Sequence, residues 1–223
     1  MFTVVSVGRL NGEYSKEISE IFAEFDAGTA PGISGLKRRQ LYTYYDVFVH
    51  IQDFTGENAG EKAEEAAKDS RVAELRERLA PLVTAYDPTI ADDRAAVFYH
   101  WEGDPPVDKE TGLHSTVIVN RVADEVIPEV TRLFGELDAT DFPYRMGTRR
   151  RQLFSYHGVY FHIQDFLSEN GTAVIDQAWK EADPRFVKIC ADLDPLVKKY
   201  APERWRSTAD QIATRFYLWE ASA

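Results

Sequence analysis

The stretch Arg38–Phe54, RRQLYTYYDVFVHIQDF, returns as RRQLFSYHGVYFHIQDF at Arg150–Phe166, 112 positions further on. Most positions are identical and most of the others exchange like for like, so the chain holds a duplicated unit and its fold must be built twice. Both copies are rich in Tyr, Phe, Val and Ile and read as β-hairpins, with turns at Tyr45-Asp46 and His157-Gly158. Glycine at position 158 supplies the positive φ that a two-residue turn needs.

Turn parity decides which side chains meet. With an even-numbered loop, Leu41 lies opposite His50 and Arg39 opposite Gln52. Side chains alternate along a strand, so Arg39, Leu41, Thr43, His50 and Gln52 share one face. The second copy repeats the set with Arg151, Leu153, Ser155, His162 and Gln164. A cation, a titratable imidazole and an amide on a mostly apolar hairpin form a candidate reaction surface. The plainer alternative is a solvated polar face holding a few cross-strand pairs.

The flanks of the hairpin repeat too. Residues 3–9 (TVVSVGR) read as a strand ending in arginine, matched by Ser115–Arg121 (STVIVNR). Ser15–Phe25 has apolar residues at helical spacing (Ile18, Ile21, Phe22, Phe25) and is closed by Asp26, as Asp138 closes its copy. Glu57–Tyr86 is expected to be a second helical region that Pro81 breaks or kinks, with Ala173–Tyr200 and Pro195 as its counterpart. Ala96–Glu102 (AVFYHWE) and Thr214–Glu220 (TRFYLWE) read as closing strands.

Each half therefore reads β-α-β-β-α-β, the ferredoxin-like order. The expected fold is α+β, with repeats at residues 1–102 and 113–223 joined by a linker at 103–112 (GDPPVDKETG). A sheet of this kind has helices on one face only and needs a partner for the other. Two four-stranded sheets facing each other within the chain, an internal pseudo-dimer of the dimeric α/β-barrel type, would supply it. The alternative is a homodimer, in which each half pairs with another chain.

A net charge of −11 argues against nucleic acid and anionic membrane as partners. Cys190 is the single cysteine, so no intramolecular disulfide can form, and its helical context favours a small buried thiol over a nucleophile. No signal-peptide pattern and no membrane-length apolar run is present, and a soluble, cytoplasmic protein is expected. HExxH, CxxC, Walker-type and GxGxxG motifs are missing. In HIQDF, His50 and Asp53 are three apart on a strand and face opposite ways, so no metal site is expected.

The order [KR]-R-R-x-L, aromatic alternation, H-I-x-x-F, an Asp after the first helix and a closing FYxWE strand resembles the tetracenomycin-type family of type II polyketide cyclases. The resemblance covers nearly the whole chain as two fused copies. It implies ring closure in a poly-β-ketone, free or carried on a carrier protein, without metal or organic cofactor. The family's functional positions correspond to Arg9, Asp26, Arg39 and His50, and again to Arg121, Asp138, Arg151 and His162. Family members can carry histidine directly before the aspartate; here that residue is Phe25 or Leu137, so a mechanism needing that histidine is unavailable.

The chemistry also follows from the residues. Aldol closure needs a base to take a proton from between two carbonyls, a cation to hold the enolate, and an acid for dehydration. Histidine can perform both proton steps, and arginine can stabilise an oxyanion without changing its protonation state. Tyr44, Tyr99, Trp101, Tyr156, Tyr217 and Trp219 are candidates to line an aromatic pocket that folds a flexible substrate, or else plain core residues. With Gln52 and Gln164, they complete the candidate binding set. The copies differ at Tyr45/His157, Asp46/Gly158 and His100/Leu218, which leaves both one and two active sites open. A cofactor-independent monooxygenase of anthrone-like aromatics and a non-catalytic polyketide-binding protein are the competing readings.

Overall fold

The computed structural model describes residues 1–29, 32–104, 113–167, 171–181 and 183–221. The first half runs β1 (Phe2–Leu10), α1 (Ser15–Gly28), β2 (Leu36–Tyr44), β3 (Val47–Phe54), α2 (Ala59–Ala66), α3 (Ser70–Leu79), β4 (Val83–Ala85) and β5 (Ala96–Glu102). The second runs β6 (His114–Val122), α4 (Ile127–Asp138), α5 (Phe142–Arg145), β7 (Thr148–Tyr156), β8 (Val159–Phe166), α6 (Gly171–Glu181), α7 (Pro184–Leu193), β9 (Val197–Lys199) and β10 (Thr214–Glu220). Most of the expected linker, residues 105–112, lies outside the described residues.

Two five-stranded antiparallel sheets result, in the orders β10-β2-β3-β1-β4 and β5-β7-β8-β6-β9. The fold is α+β, with a ferredoxin-like βαββαβ unit in each repeat. The fourth strand of that unit, however, is the short β4 or β9 and not Ala96–Glu102 or Thr214–Glu220. The helical region expected over Glu57–Tyr86 ends early. α3 stops at Leu79, Pro81 has no N–H to continue the helix, and Val83–Ala85 pairs with Gly8–Leu10 of β1. Each sheet thus has five strands where four were expected.

The remaining strand of each repeat is exchanged. Thr214–Glu220 pairs with Arg38–Thr43 of β2, and Ala96–Glu102 pairs with Arg150–Ser155 of β7. The chain divides into two compact units, Met1–Ala95 with the β10 segment and Ala96–Ala213, so the unit boundary departs from the repeat boundary at residue 102.

Within the first unit, Ile18, Phe22 and Phe25 of α1 are spaced for one helical face and are buried with Leu36, Leu41, Phe48 and Phe54 of the hairpin, Ala63 of α2 and Leu75 of α3. In the second, Val130, Leu133, Phe134 and Leu137 of α4 pack with Leu153, Tyr160 and Ile189. Asp69 and Asp183 cap α3 and α7 by accepting from the backbone N–H of Arg71 and Arg185. The hairpin turns are two residues long, and Tyr45 (φ 53), His157 (φ 46) and Gly158 (φ 79) take left-handed conformations. No described helix is long and apolar enough to cross a membrane.

Candidate active site

Leu41 pairs with His50 and Arg39 with Gln52, while Leu153 pairs with His162 and Arg151 with Gln164. The even turn therefore sends Arg39 and His50 to the helix-covered face of their sheet, beside Leu41 and Phe48. There α1 delivers Asp26 and the exchanged strand β10 delivers Tyr217. Arg39 Nε donates to Asp26 Oδ1 at 3.0 Å, Arg39 Nη1 lies 2.7 Å from His50 Nε2, and the Tyr217 hydroxyl donates to Asp26 Oδ2 at 2.9 Å.

The second unit builds the same constellation. Arg151 Nε donates to both oxygens of Asp138 (3.1 and 2.9 Å), Arg151 Nη1 lies 2.8 Å from His162 Nε2, and the Tyr99 hydroxyl of β5 donates to Asp138 Oδ2 at 2.9 Å. Arg151 Nη1 also donates to Gln164 Oε1 at 3.4 Å, and Gln164 Nε2 donates to Thr148 Oγ1 at 2.6 Å. Phe22 and Phe134 set their rings edge-on to His50 and His162, each with centroids 5.2 Å apart.

This geometry fixes the proton inventory. A guanidinium only donates, so Nε2 of each imidazole accepts and the ring proton sits on Nδ1. Burial first, and the adjacent guanidinium second, hold both imidazoles well below their ordinary value, so they are neutral at neutral pH. Burial pushes the Asp26 carboxyl up against the opposing pull of Arg39 and Tyr217. Tyr99 and Tyr217 are pushed well above the usual phenol range, by burial and then by the facing carboxylate, and remain donors.

In the second unit the constellation borders a cavity of about 600 Å³. Arg151, His162 and Gln164 line it on the sheet side, Phe134 and Leu137 from α4, and Ile189 and Cys190 from α7. Burial pushes the Cys190 thiol up to about 11, consistent with an inert lining residue. In the first unit a groove of about 440 Å³ lies along α1, between Ser15, Ser19, Ala23, Phe216 and Tyr217.

Other expected site residues lie elsewhere. Arg9 donates through Nε to the Tyr86 carbonyl at 3.0 Å, stacks on the Tyr86 ring and pairs with Asp46 at the hairpin turn. Arg121 stacks on Tyr200, with its guanidinium carbon 4.3 Å from the ring centroid. In strand register each of these arginines pairs with the residue just after its turn, Val47 or Val159, three places before the site histidine. Tyr44 and Tyr156 alternate to the opposite sheet face from Arg39 and Arg151, packing on Tyr45 and His157. Trp101 packs edge-on against Tyr144, and Trp219 against the first unit's core. Gln52 stands opposite Arg39 and is half-buried.

Sequence reasoning gives Tyr99 and Tyr217 as candidates to line an aromatic pocket and misses that their hydroxyls hold the aspartate of the other repeat. It also missed a second buried ion pair on the opposite face. Arg38 Nε donates to Asp53 Oδ2 at 2.9 Å with Thr3 donating to Oδ1 at 2.6 Å, and Arg150 donates to Asp165 at 2.6 Å beside Ser115. The signal was present in the doubled arginine of R-R-Q-L, whose two side chains must point to opposite faces.

Comparison with known proteins gives this geometry a context. The family model for polyketide synthesis cyclase matches twice, over residues 2–102 and 114–220. An uncharacterized protein of Streptomyces coelicolor is 34% identical over 109 residues, which is 48% of this chain and 96% of that protein. Tetracenomycin F2 cyclase of Streptomyces glaucescens is 28% identical over 109 residues, 48% of this chain and 95% of that enzyme. A putative monooxygenase from Lactobacillus acidophilus superposes with a TM-score of 0.59 at 9% identity, covering 99% of this chain and 97% of that one, and shares the fold alone. The two matched segments span nearly the whole sequence, and the chain belongs to the polyketide synthesis cyclase family, carrying it as two tandem copies.

Proposed function

We propose that the second unit closes a ring in an aromatic-polyketide precursor by aldol-type condensation, with His162 as proton carrier and Arg151 as oxyanion holder. The observation that carries this reading is the 2.8 Å contact of Arg151 Nη1 with His162 Nε2 at the wall of a cavity of about 600 Å³. An apolar cavity of that size suits a small polyketide.

Neutral His162 enters with Nε2 engaged by Arg151. A developing enolate oxygen draws the Arg151 N–H toward itself and releases Nε2 to take the proton from the methylene between two carbonyls. The enolate carbon then attacks a second carbonyl carbon, forming the C–C bond. The new alkoxide recovers the proton from the imidazolium. The depressed basicity of His162 makes its imidazolium a strong acid, which suits that last transfer and the loss of water that follows. Asp138 and Tyr99 are positioning residues in this scheme: Arg151 Nε donates to both Asp138 oxygens and the Tyr99 hydroxyl donates to the same carboxylate, which fixes the guanidinium plane.

The test is a product profile by liquid chromatography and mass spectrometry, with the protein added to a minimal polyketide synthase reaction with and without dioxygen. A new product isomeric with the uncyclised chain, or lighter by water, and formed equally without oxygen is expected. An oxygen-dependent gain in mass would replace the cyclase by a monooxygenase. An unchanged profile would leave only binding.

A further inference from the structure

The cavity of the second unit has a second polar pole. Asn120 of β6 shares a sheet face with Ile118, which pairs with His162, and lies two residues, about 7 Å, along the strand from Ile118. Around it the cavity is lined by Lys199, Trp205, Thr208 and Gln211. Asn120 Nδ2 donates to Gln211 Oε1 at 2.9 Å, which leaves Asn120 Oδ1 as an acceptor.

Among the described residues, two buried side-chain polar atoms have no hydrogen-bond partner: Asn120 Oδ1 and Trp205 Nε1. One accepts, the other donates, and both residues line this cavity. Leaving such atoms unpaired costs each of them its hydration with nothing in return, and a ligand that pairs them recovers it. Lys199 Nζ sits 3.7 Å from the centroid of the Trp205 ring, and a cation on the indole face strengthens its N–H as a donor.

The first repeat has no equivalent. Asn120 and Lys199 pair with each other in register, as do their counterparts Gly8 and Ala85. At Gly8 a Cβ would come within 2.8 Å of Val83 Cγ1 and 2.9 Å of the Thr84 carbonyl oxygen, so no side chain fits. The segment holding Trp205 is longer in the second repeat: Tyr200 and Phe216 are 16 positions apart, Tyr86 and Phe98 only 12. A 3-10 turn at Thr208–Gln211, fixed by a capping box from Ser207 and Asp210, fills the added length.

Resting on the cyclase reading of this cavity, we propose that Asn120 and Trp205 form a hydroxyl- or enol-binding subsite that sets the register of the substrate. An enol or phenol O–H donates to Asn120 Oδ1 while the same oxygen, or its neighbouring carbonyl, accepts from Trp205 Nε1. A poly-β-ketone bears oxygen on every second carbon. Anchoring one oxygen here determines which later carbonyl reaches Arg151, and so which ring closes.

The experiment measures binding of 2,6-dihydroxyanthraquinone, whose hydroxyls are free of the ring carbonyls, and unsubstituted 9,10-anthraquinone to the intact chain by calorimetry. Wild type is expected to prefer the dihydroxy compound by about tenfold, the worth of one or two hydrogen bonds. Trp205→Phe keeps the ring and its contact with Lys199 but removes the donor; Asn120→Leu removes the acceptor. Each should lose about three- to tenfold in affinity for the dihydroxy compound and leave anthraquinone binding unchanged. Equal affinities in wild type, or a preference that survives both substitutions, overturns the subsite. The minimal polyketide synthase reaction run in parallel separates the two readings. A lost probe preference without any ring-closed product from wild type upholds the subsite and removes the cyclase. A ring-closed product from wild type, with the probe preference intact in both variants, does the reverse.

Discussion

The hydroxyl of Tyr99 donates to Asp138 Oδ2 at 2.9 Å although the two belong to different sequence repeats. Strand β5 leaves the first repeat, lies along β7 and presents Tyr99 to the carboxylate that orients Arg151. Tyr217 on β10 does the same for Asp26. Each buried aspartate therefore depends on a strand from the other repeat. Tyr99→Phe is expected to lower the unfolding free energy by about 1 kcal/mol and to slow product formation, because the Asp138 clamp on Arg151 loosens. Urea titration reads the first effect and single-turnover rates the second; a variant identical to wild type in both would show the contact to be idle.

The buried guanidinium in each unit balances a buried carboxylate. Arg39 is 2% exposed and Asp26 fully buried. Arg39→Ala strands that carboxylate, and the loss expected on breaking one side of a buried pair is about 3–5 kcal/mol. The double variant Arg39→Met with Asp26→Leu should recover much of it. Denaturant midpoints of the three proteins check the order.

Burial and the adjacent arginines depress both His50 and His162 well below 6.5. The unfolded chain therefore takes up these protons first as pH falls. The stabilising contribution is fully present above pH 6.5 and is lost as pH drops toward the folded values. Stability should decline from pH 7 to pH 5 by up to about 1.4 kcal/mol per pH unit for each histidine. His50→Gln with His162→Gln should flatten that slope, measured as the urea midpoint at each pH. An unchanged slope would mean that the imidazoles are charged in the folded state.

Gly8 is held by close approach and not by its φ. Gly8→Ala should destabilise the first unit by about 1–3 kcal/mol, because the new methyl meets Val83 and the Thr84 carbonyl. Thermal unfolding compared with Asn120→Ala, whose site opens on the cavity, tests whether the two repeats differ here as described.

The repeat, the hairpins and the shared face of Arg39 with His50 were legible because turn parity and strand alternation are local rules. The helix-terminal aspartates could be named but not given partners, since pairing Asp26 with Arg39 requires α1 to pack over β2. Exchange of Ala96–Glu102 and Thr214–Glu220 was illegible: the two strands match each other, so either satisfies the same edge by sequence pattern. β4 and β9 were hidden because the apolar residues Leu82 and Val83, and Leu196 and Val197, carry the helical spacing on past Pro81 and Pro195. The polar pole at Asn120 and Trp205 left two traces, a glycine replaced by asparagine and a four-residue difference in loop length, and each gains meaning only once the cavity is seen.

The role proposed for the Arg151–His162 pair at the cavity wall is ring closure. The most direct measurement is the single-turnover rate of ring-closed product from one poly-β-ketone substrate with wild type and with His162→Gln, after thermal unfolding has shown both to be folded. A fall of about 10²–10⁴-fold, with substrate still bound, is the predicted result. Wild-type turnover by His162→Gln would remove His162 from the reaction.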